Sequence, residues 1–260
     1  MMPRPGDFRD AETAPGRRLA SLAPSLFGDL DDASAEALAG RMRRATFAHR
    51  SALFRCGDPA EQFFVIVAGH ARLTRLAASG KEVATDLLGP GEILGEGVLF
   101  GESERQMSAH AIGALHTYAF GGAGLAAMTG RSLRFASNLA TIAHGRGERL
   151  CAALEDIACA QVPARLLLLL DRIAARHGRP TSLGRYVGVE LTHAEIALFI
   201  ASSRETVSLI LGVLAREGAL RLDKRKIYLA DRGTCRSSGT MPLLAAPGRE
   251  TRPALQRITS

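Results

Sequence analysis

Leu191-Thr192-His193-Ala194-Glu195 and, after a short gap, Ser202-Ser203-Arg204-Glu205-Thr206-Val207-Ser208 carry two helix-start signals in close succession. Thr192 with Glu195, and Ser202 with Glu205, each fit a capping box, in which a hydroxyl and a carboxylate three residues on satisfy first-turn amides that lack intrahelical partners. The spacing predicts two short consecutive helices. In the second, Val207, Ile210, Leu211 and Leu214 recur at helical intervals and define a buried face. That leaves Arg204, Glu205, Ser208 and Leu209 outside, near the N-terminal end.

In a helix-turn-helix, that end of the second helix enters the major groove of DNA. Arg204 can donate two hydrogen bonds to guanine, Glu205 can accept from cytosine N4, Ser208 can bond a base or a phosphate, and Leu209 can touch a thymine methyl. Thr192, Ser203 and Thr206, at the two helix starts, complete the expected DNA-contacting set. Either charge alone reads as an ordinary solvated helix residue; combined with the paired capping signals they read as a base-reading surface. Downstream, Gly218 offers a helix stop, and Leu220 to Leu222 and Lys226 to Leu229 alternate around Asp223-Lys224-Arg225, the pattern of a hairpin wing with a basic tip.

Upstream, Pro163 can open a helix because a first-turn amide needs no acceptor, and Leu166, Leu169, Leu170 and Ile173 supply its core face before His177-Gly178. Val162 to Ala164 is expected to be an interdomain hinge. From Arg131 to Ala160 one long helix is expected, with Phe135, Leu139, Ile142, Leu150, Leu154 and Ile157 in a single apolar stripe and a weak point at Gly145 and Gly147. From Thr46 to Phe120 the pattern changes to short apolar runs, notably Phe63 to Val67, punctuated by glycine and proline, which indicates antiparallel β-structure with Gly69 and Gly80 at chain reversals. Ser21 to Arg44 reads as one or two short helices.

The chain has 260 residues, 47% of them hydrophobic, enough to bury the cores of two domains, and a net charge of +7 that favours an anionic partner. No apolar run reaches the length of a membrane span and no secretory signal opens the chain, so no membrane partner is expected and the location reads as cytoplasmic. Cys56, Cys151, Cys159 and Cys235 are scattered without a CxxC pair and are expected to be buried structural thiols. No GxSxG, HExxH or P-loop occurs, so nothing supports an enzyme.

Over about residues 22 to 232 the chain resembles the Crp/Fnr superfamily of regulators. The resemblance rests on Gly57-Asp58-Pro59, Gly69, Gly89-Pro90-Gly91, Gly95-Glu96, Val162-Pro163-Ala164-Arg165 and Ser203 to Ser208. It implies an α+β fold: an N-terminal antiparallel, jelly-roll-like β-roll, a long dimerisation helix, and a C-terminal winged helix-turn-helix. The corresponding division is 21–130 for the effector domain, 131–160 for the dimerisation helix and 161–232 for the DNA-binding domain, with 1–20 and 233–260 as disordered tails. The implied partners are double-stranded DNA at palindromic promoter sites, a second copy of the chain, and RNA polymerase.

The resemblance also implies an effector site. Gly95, Glu96 and Arg105 match the phosphate cassette of cyclic-nucleotide-binding relatives, Glu96 for a ribose hydroxyl and Arg105 for the cyclic phosphate. Gln106 stands where the cassette has serine, and Leu150 and Cys151 where nucleotide-responsive relatives carry hydroxyl residues. The cofactor stays open: a cyclic nucleotide, or none, with Glu96 and Arg105 then forming a structural ion pair. An iron–sulfur cluster lacks its cysteine cluster, and for haem the candidates His49, His70, His110, His116 and His144 have no diagnostic spacing. The alternatives are an effector-independent or redox-responsive regulator of the same fold, and a cyclic-nucleotide-responsive signalling subunit.

Overall fold

The computed structural model describes residues 15–122 and 132–230. Two long strands, β3 (Gln62–Leu76) and β6 (Ser108–Gly121), form the spine of the N-terminal half, joined by β1 (Arg43–Phe47), β2 (Ala52–Phe54), β4 (Glu82–Leu88) and β5 (Ile93–Leu94). The six strands are antiparallel, ordered β1-β6-β3-β4, with β2 on β6 and β5 on β3. Phe63 to Ile66 show why this run is apolar throughout: successive side chains point to opposite faces, and both faces are covered. Phe63 and Val65 pack with Tyr118 and Phe120 beneath the N-terminal helices, while Phe64 and Ile66 fill the roll interior with Leu73, Leu88, Leu94 and Leu115.

Gly80 lies between β3 and β4 as expected, but Gly69 does not sit at a reversal. It stands within β3 where the register with β6 shifts, at φ 85°, and a Cβ there would lie 2.2 Å from the Ala114 carbonyl oxygen. The glycine admits a bulge and a close backbone approach. The N-terminal helices are α1 (Pro15–Leu22), α2 (Pro24–Phe27) and α3 (Asp32–Ala39). Helix α1 begins inside the segment expected to be a tail, because Leu19 and Leu22 bury against the sheet. The expected tails at 1–14 and 233–260, and Cys235, lie outside the described residues.

Helix α4 (Leu133–Cys159) runs 27 residues without a break at Gly145 or Gly147. The single apolar stripe expected for it divides into two faces. Phe135, Leu139 and Ile142 pack on the helix's own roll. Leu133, Ala136, Ala140, Ala143, Gly147, Leu150 and Leu154 follow one another at alternating steps of three and four, a heptad seam whose end residues Leu133 and Leu154 are 86% and 64% exposed. Gly147 is thus a small residue in a seam. Cys56, Cys151 and Cys159 are exposed rather than buried, the latter two because they lie on solvent-facing turns of α4.

The chain breaks at Ala160 and Gln161, both extended, and α5 (Val162–His177) follows. The break therefore precedes Val162-Pro163-Ala164, the segment expected to be a hinge, which already forms the first turn of α5. A four-stranded sheet, β7 (Arg179–Thr181), β8 (Gly184–Tyr186), β10 (Lys226–Leu229) and β9 (Leu220–Asp223) in that order, closes the C-terminal half around α6 (His193–Phe199) and α7 (Arg204–Arg216). Strands β9 and β10 form the expected wing; the β7–β8 hairpin carries no sequence signal, since each strand is three residues long, β7 is exposed and contains Pro180, and β8 is only half-buried. Among the described residues no single helix is long and apolar enough to cross a membrane.

Candidate DNA interface and effector site

The start of α6 is built by the capping box read from the sequence: the Thr192 hydroxyl accepts from the Glu195 amide at 3.2 Å, and the Glu195 carboxylate accepts from the Thr192 amide at 2.7 Å. The start of α7 differs from expectation. Ser203, not Ser202, is the cap, accepting from the Thr206 amide at 3.1 Å, and its hydroxyl also meets that of Thr206 at 2.9 Å. The shift by one residue leaves Glu205 outside any capping box and exposed. Its carboxyl sits below the ordinary carboxylate value because its own backbone amide and the Ser203 hydroxyl hydrogen-bond the charged form.

A 102° bend separates α6 from α7. Ala201 takes a left-handed turn between them, and Arg165 of α5 braces it, donating to the carbonyls of Ala160 at 2.7 Å and Ile200 at 3.4 Å. Arg165 closes the Val162-Pro163-Ala164-Arg165 motif, but its role as brace of the helix break and the turn appears only in the fold. Val207, Ile210, Leu211 and Leu214 bury against Leu166, Leu170 and Ile173 of α5. Arg204, Glu205, Ser208 and Leu209 are all exposed on the opposite face, Leu209 at 67%. The wing turns at Lys224, at φ 55°, and Arg225.

The cassette in the roll is closed on its own residues. Arg105 is 4% exposed; it donates to the carbonyl of Gly95 at 2.9 Å and to that of Gln62, and lies 4.4 Å from the centre of the Phe54 ring. Burial draws its guanidinium below the usual arginine value. Glu96 pairs not with Arg105 but with Arg146 of α4, which also donates to the Ile93 carbonyl. The Glu96–Arg105 ion pair considered above is therefore absent: the guanidinium of Arg105 turns to backbone carbonyls, and Glu96 meets the long helix first. Gln106 donates to the Glu104 carbonyl at 3.3 Å, and Leu150 and Cys151 are exposed on α4. The candidate histidines are spread over the fold: His49 accepts from the Gly113 amide, His116 meets Thr46, and His70 packs edge-on against His177.

Beside the cassette lies a junction that sequence reasoning did not find. Asp86 of β4 accepts from Arg149 of α4 at 2.7 Å and from Arg176 of α5 at 3.1 Å, and Arg176 also donates to Glu92 at 2.6 Å. Burial alone would raise the Asp86 pKa, but the Arg149 hydrogen bond and the charges of Arg176, Arg149 and Arg146 outweigh it and leave it below the ordinary value. Next to this cluster, His70 and His177 pack with ring centres 5.0 Å apart, and burial foremost lowers each to a pKa of about 4, so both are neutral at pH 7. Leu87 and Ile112 of the roll share one apolar core with the C-terminal domain. Roll, long helix and C-terminal domain are thus tied at one place.

A β-roll, a long helix with a free heptad seam, and a helix-turn-helix with a basic wing define an effector-type regulator that binds DNA. Residues 44–132 match the family model of the cyclic nucleotide-binding domain, and residues 164–234 that of the Crp-like helix-turn-helix domain. The chain is 30% identical over 190 residues to the transcriptional regulator LdrP of Thermus thermophilus, covering 71% of this chain and 91% of that one. It is 25% identical over 206 residues to the CRP-like cAMP-activated global transcriptional regulator of Mycobacterium tuberculosis, covering 79% and 92%. The solved structure of a CRP-family transcriptional regulator from Thermus thermophilus superposes with a TM-score of 0.61 at 27% identity, over 78% of this chain and all (100%) of that one. The chain belongs to the Crp/Fnr superfamily and is a DNA-binding transcription regulator, not an enzyme.

Proposed function

We infer that this regulator acts as a homodimer on inverted repeats in double-stranded DNA, each protomer reading one half-site with Arg204, Glu205, Ser208 and Leu209. The observation that carries the reading is the exposed face of α7, where two charges, a hydroxyl and an apolar side chain stand together at the N-terminal end of a helix held across its neighbour. The hydroxyls of Thr192, Ser203 and Thr206 are committed to the helix starts, so their part is to hold the reading helix in place. The heptad seam of α4 supports the dimer, because an exposed apolar stripe of that length needs a partner helix, and its small residues allow close approach. Two-fold symmetry then sets half-sites one helical turn apart. The working location is the cytoplasm, with RNA polymerase as the protein that reads the bound state.

For the roll, the residues do not fit a cyclic nucleotide. Glu96 is engaged by Arg146, both terminal nitrogens of Arg105 donate to backbone carbonyls, and neither Leu150 nor Cys151 brings a hydroxyl to a base. This favours DNA binding that needs no cyclic nucleotide over the nucleotide-gated reading. Selection from a random DNA library with the full-length protein tests the first part, and dyad-symmetric winners are expected. Calorimetric titration with cyclic AMP and cyclic GMP tests the second; saturable binding of either would overturn it.

A further inference from the structure

His193 Nδ1 lies 2.6 Å from Ser208 Oγ, a side-chain bond between two helices made by residues fifteen positions apart. His193 opens α6, where the Thr192–Glu195 capping box fixes the backbone, and Ser208 stands one turn beyond Arg204 on the exposed face of α7. We propose that His193 sets the base preference of Ser208: by accepting the hydrogen bond that the hydroxyl donates, it leaves Ser208 as an acceptor that selects an amino group on a base edge. The proposal rests on the reading of α7 as the base-reading helix.

A free serine hydroxyl discriminates poorly in the major groove, because it rotates to donate or to accept and every base pair offers one or the other. The His193 contact removes that freedom. The ring's tautomer decides which side supplies the hydrogen, and the arrangement proposed is the Nε2–H tautomer, in which Nδ1 accepts from the Ser208 hydroxyl across the 2.6 Å contact. The histidine then carries its own proton on Nε2, and Oγ presents only lone pairs to a ligand. Adenine N6 and cytosine N4 are the amino donors of the major groove; guanine O6 and thymine O4 would meet lone pairs with lone pairs. One turn further along the same face is Gly212, where an added Cβ would meet nothing within 4 Å, so no side chain there competes for the Ser208 oxygen. His193 is a positioning residue that acts through Ser208.

The test uses full-length protein and its selected site. Unmodified protein, His193→Ala, His193→Asn, Ser208→Ala and the His193→Ala/Ser208→Ala double variant are each titrated against that site and its three single-base variants at every half-site position. The unmodified protein should prefer adenine or cytosine roughly five- to tenfold at one position per half-site, the discrimination of a single hydrogen bond. Both alanine variants should lose that preference, and only that one, with the double variant losing no more than either. Asparagine at 193, whose amide oxygen can accept the hydrogen bond that the hydroxyl donates, should restore much of it, which a merely structural role would not produce. The proposal is overturned if His193→Ala leaves every preference intact, if it weakens all sequences equally, if asparagine restores nothing, or if guanine or thymine is favoured at the position that Ser208→Ala identifies. An unmodified protein without any sequence preference would instead remove the reading of α7 itself, and this proposal with it.

Discussion

Replacing Asp86 with asparagine probes the junction of roll, long helix and C-terminal domain most directly. Asp86 accepts from Arg149 at 2.7 Å, from Arg176 at 3.1 Å and from the Leu87 amide at 2.9 Å, with its side chain only 12% exposed. An asparagine keeps the shape and one acceptor oxygen but removes the charge that faces two guanidinium groups. A hydrogen bond to a charged partner is worth about 1.5–3 kcal/mol, and breaking a buried ion pair costs about 3–5 kcal/mol. Since Arg149 and Arg176 keep partial access to water and Arg176 retains Glu92, the cost should fall near 2–4 kcal/mol. For a chain of this size that is about 4–15 °C in Tm. Differential scanning calorimetry at fixed protein concentration and pH 7 measures it, and the loss of a shared tie should also separate the unfolding of the two domains. Linkage adds a sign. The folded carboxyl binds its proton less tightly than the unfolded one, so its stabilisation is fully present above the unfolded value of 3.8 and is lost as the pH falls below it. The variant should lack that acid-dependent component. A Tm within about 1 °C of the unmodified protein, which corresponds to under about 0.5 kcal/mol, would refute the reasoning.

His70 and His177, each at a pKa of about 4 against 6.5 when free, bind fewer protons folded than unfolded between those values. Stability should therefore decline as the pH falls from about 6.5 toward 4, by at most about 3 kcal/mol per histidine; denaturant unfolding across that range should show the slope, and His177→Gln should flatten it. Leu154→Glu puts a charge into the heptad seam and should shift the dimer toward monomer, read by light scattering at micromolar concentration, whereas an unmodified protein that is already monomeric there would count against the seam. Arg204→Ala and Glu205→Ala should each cost about 1–3 kcal/mol at the selected site while leaving salt-dependent nonspecific binding largely intact, as a salt titration on matched and random DNA would show.

The reading helix and its neighbour could be placed from the amino-acid sequence because their determinants are local. Capping hydroxyls, a helical repeat from Val207 to Leu214 and a glycine stop at Gly218 all act within a few residues, as does the alternation that makes the wing. The long strand at Phe63 was legible for the same reason, as a run of apolar side chains bounded by turn residues. Local rules also have a resolution: the capping pattern pointed to Ser202 with Glu205, whereas the helix starts one residue later with Ser203 as its cap. What the tertiary structure decided is every contact whose partners are remote along the chain. Periodicity places apolar residues on α4 but does not say which of them face the roll, so Phe135 and Leu154 looked alike until the roll covered one side of the helix. Glu96 and Arg105 seemed natural partners at close range, yet the approach of α4 gave Glu96 to Arg146 and left Arg105 on carbonyl oxygens. Arg176 meets Asp86 across ninety positions, and His193 meets Ser208 across a 102° bend. Such pairings depend on the angle at which packed elements cross, which is set by the complementarity of whole faces and is carried by no single stretch of sequence.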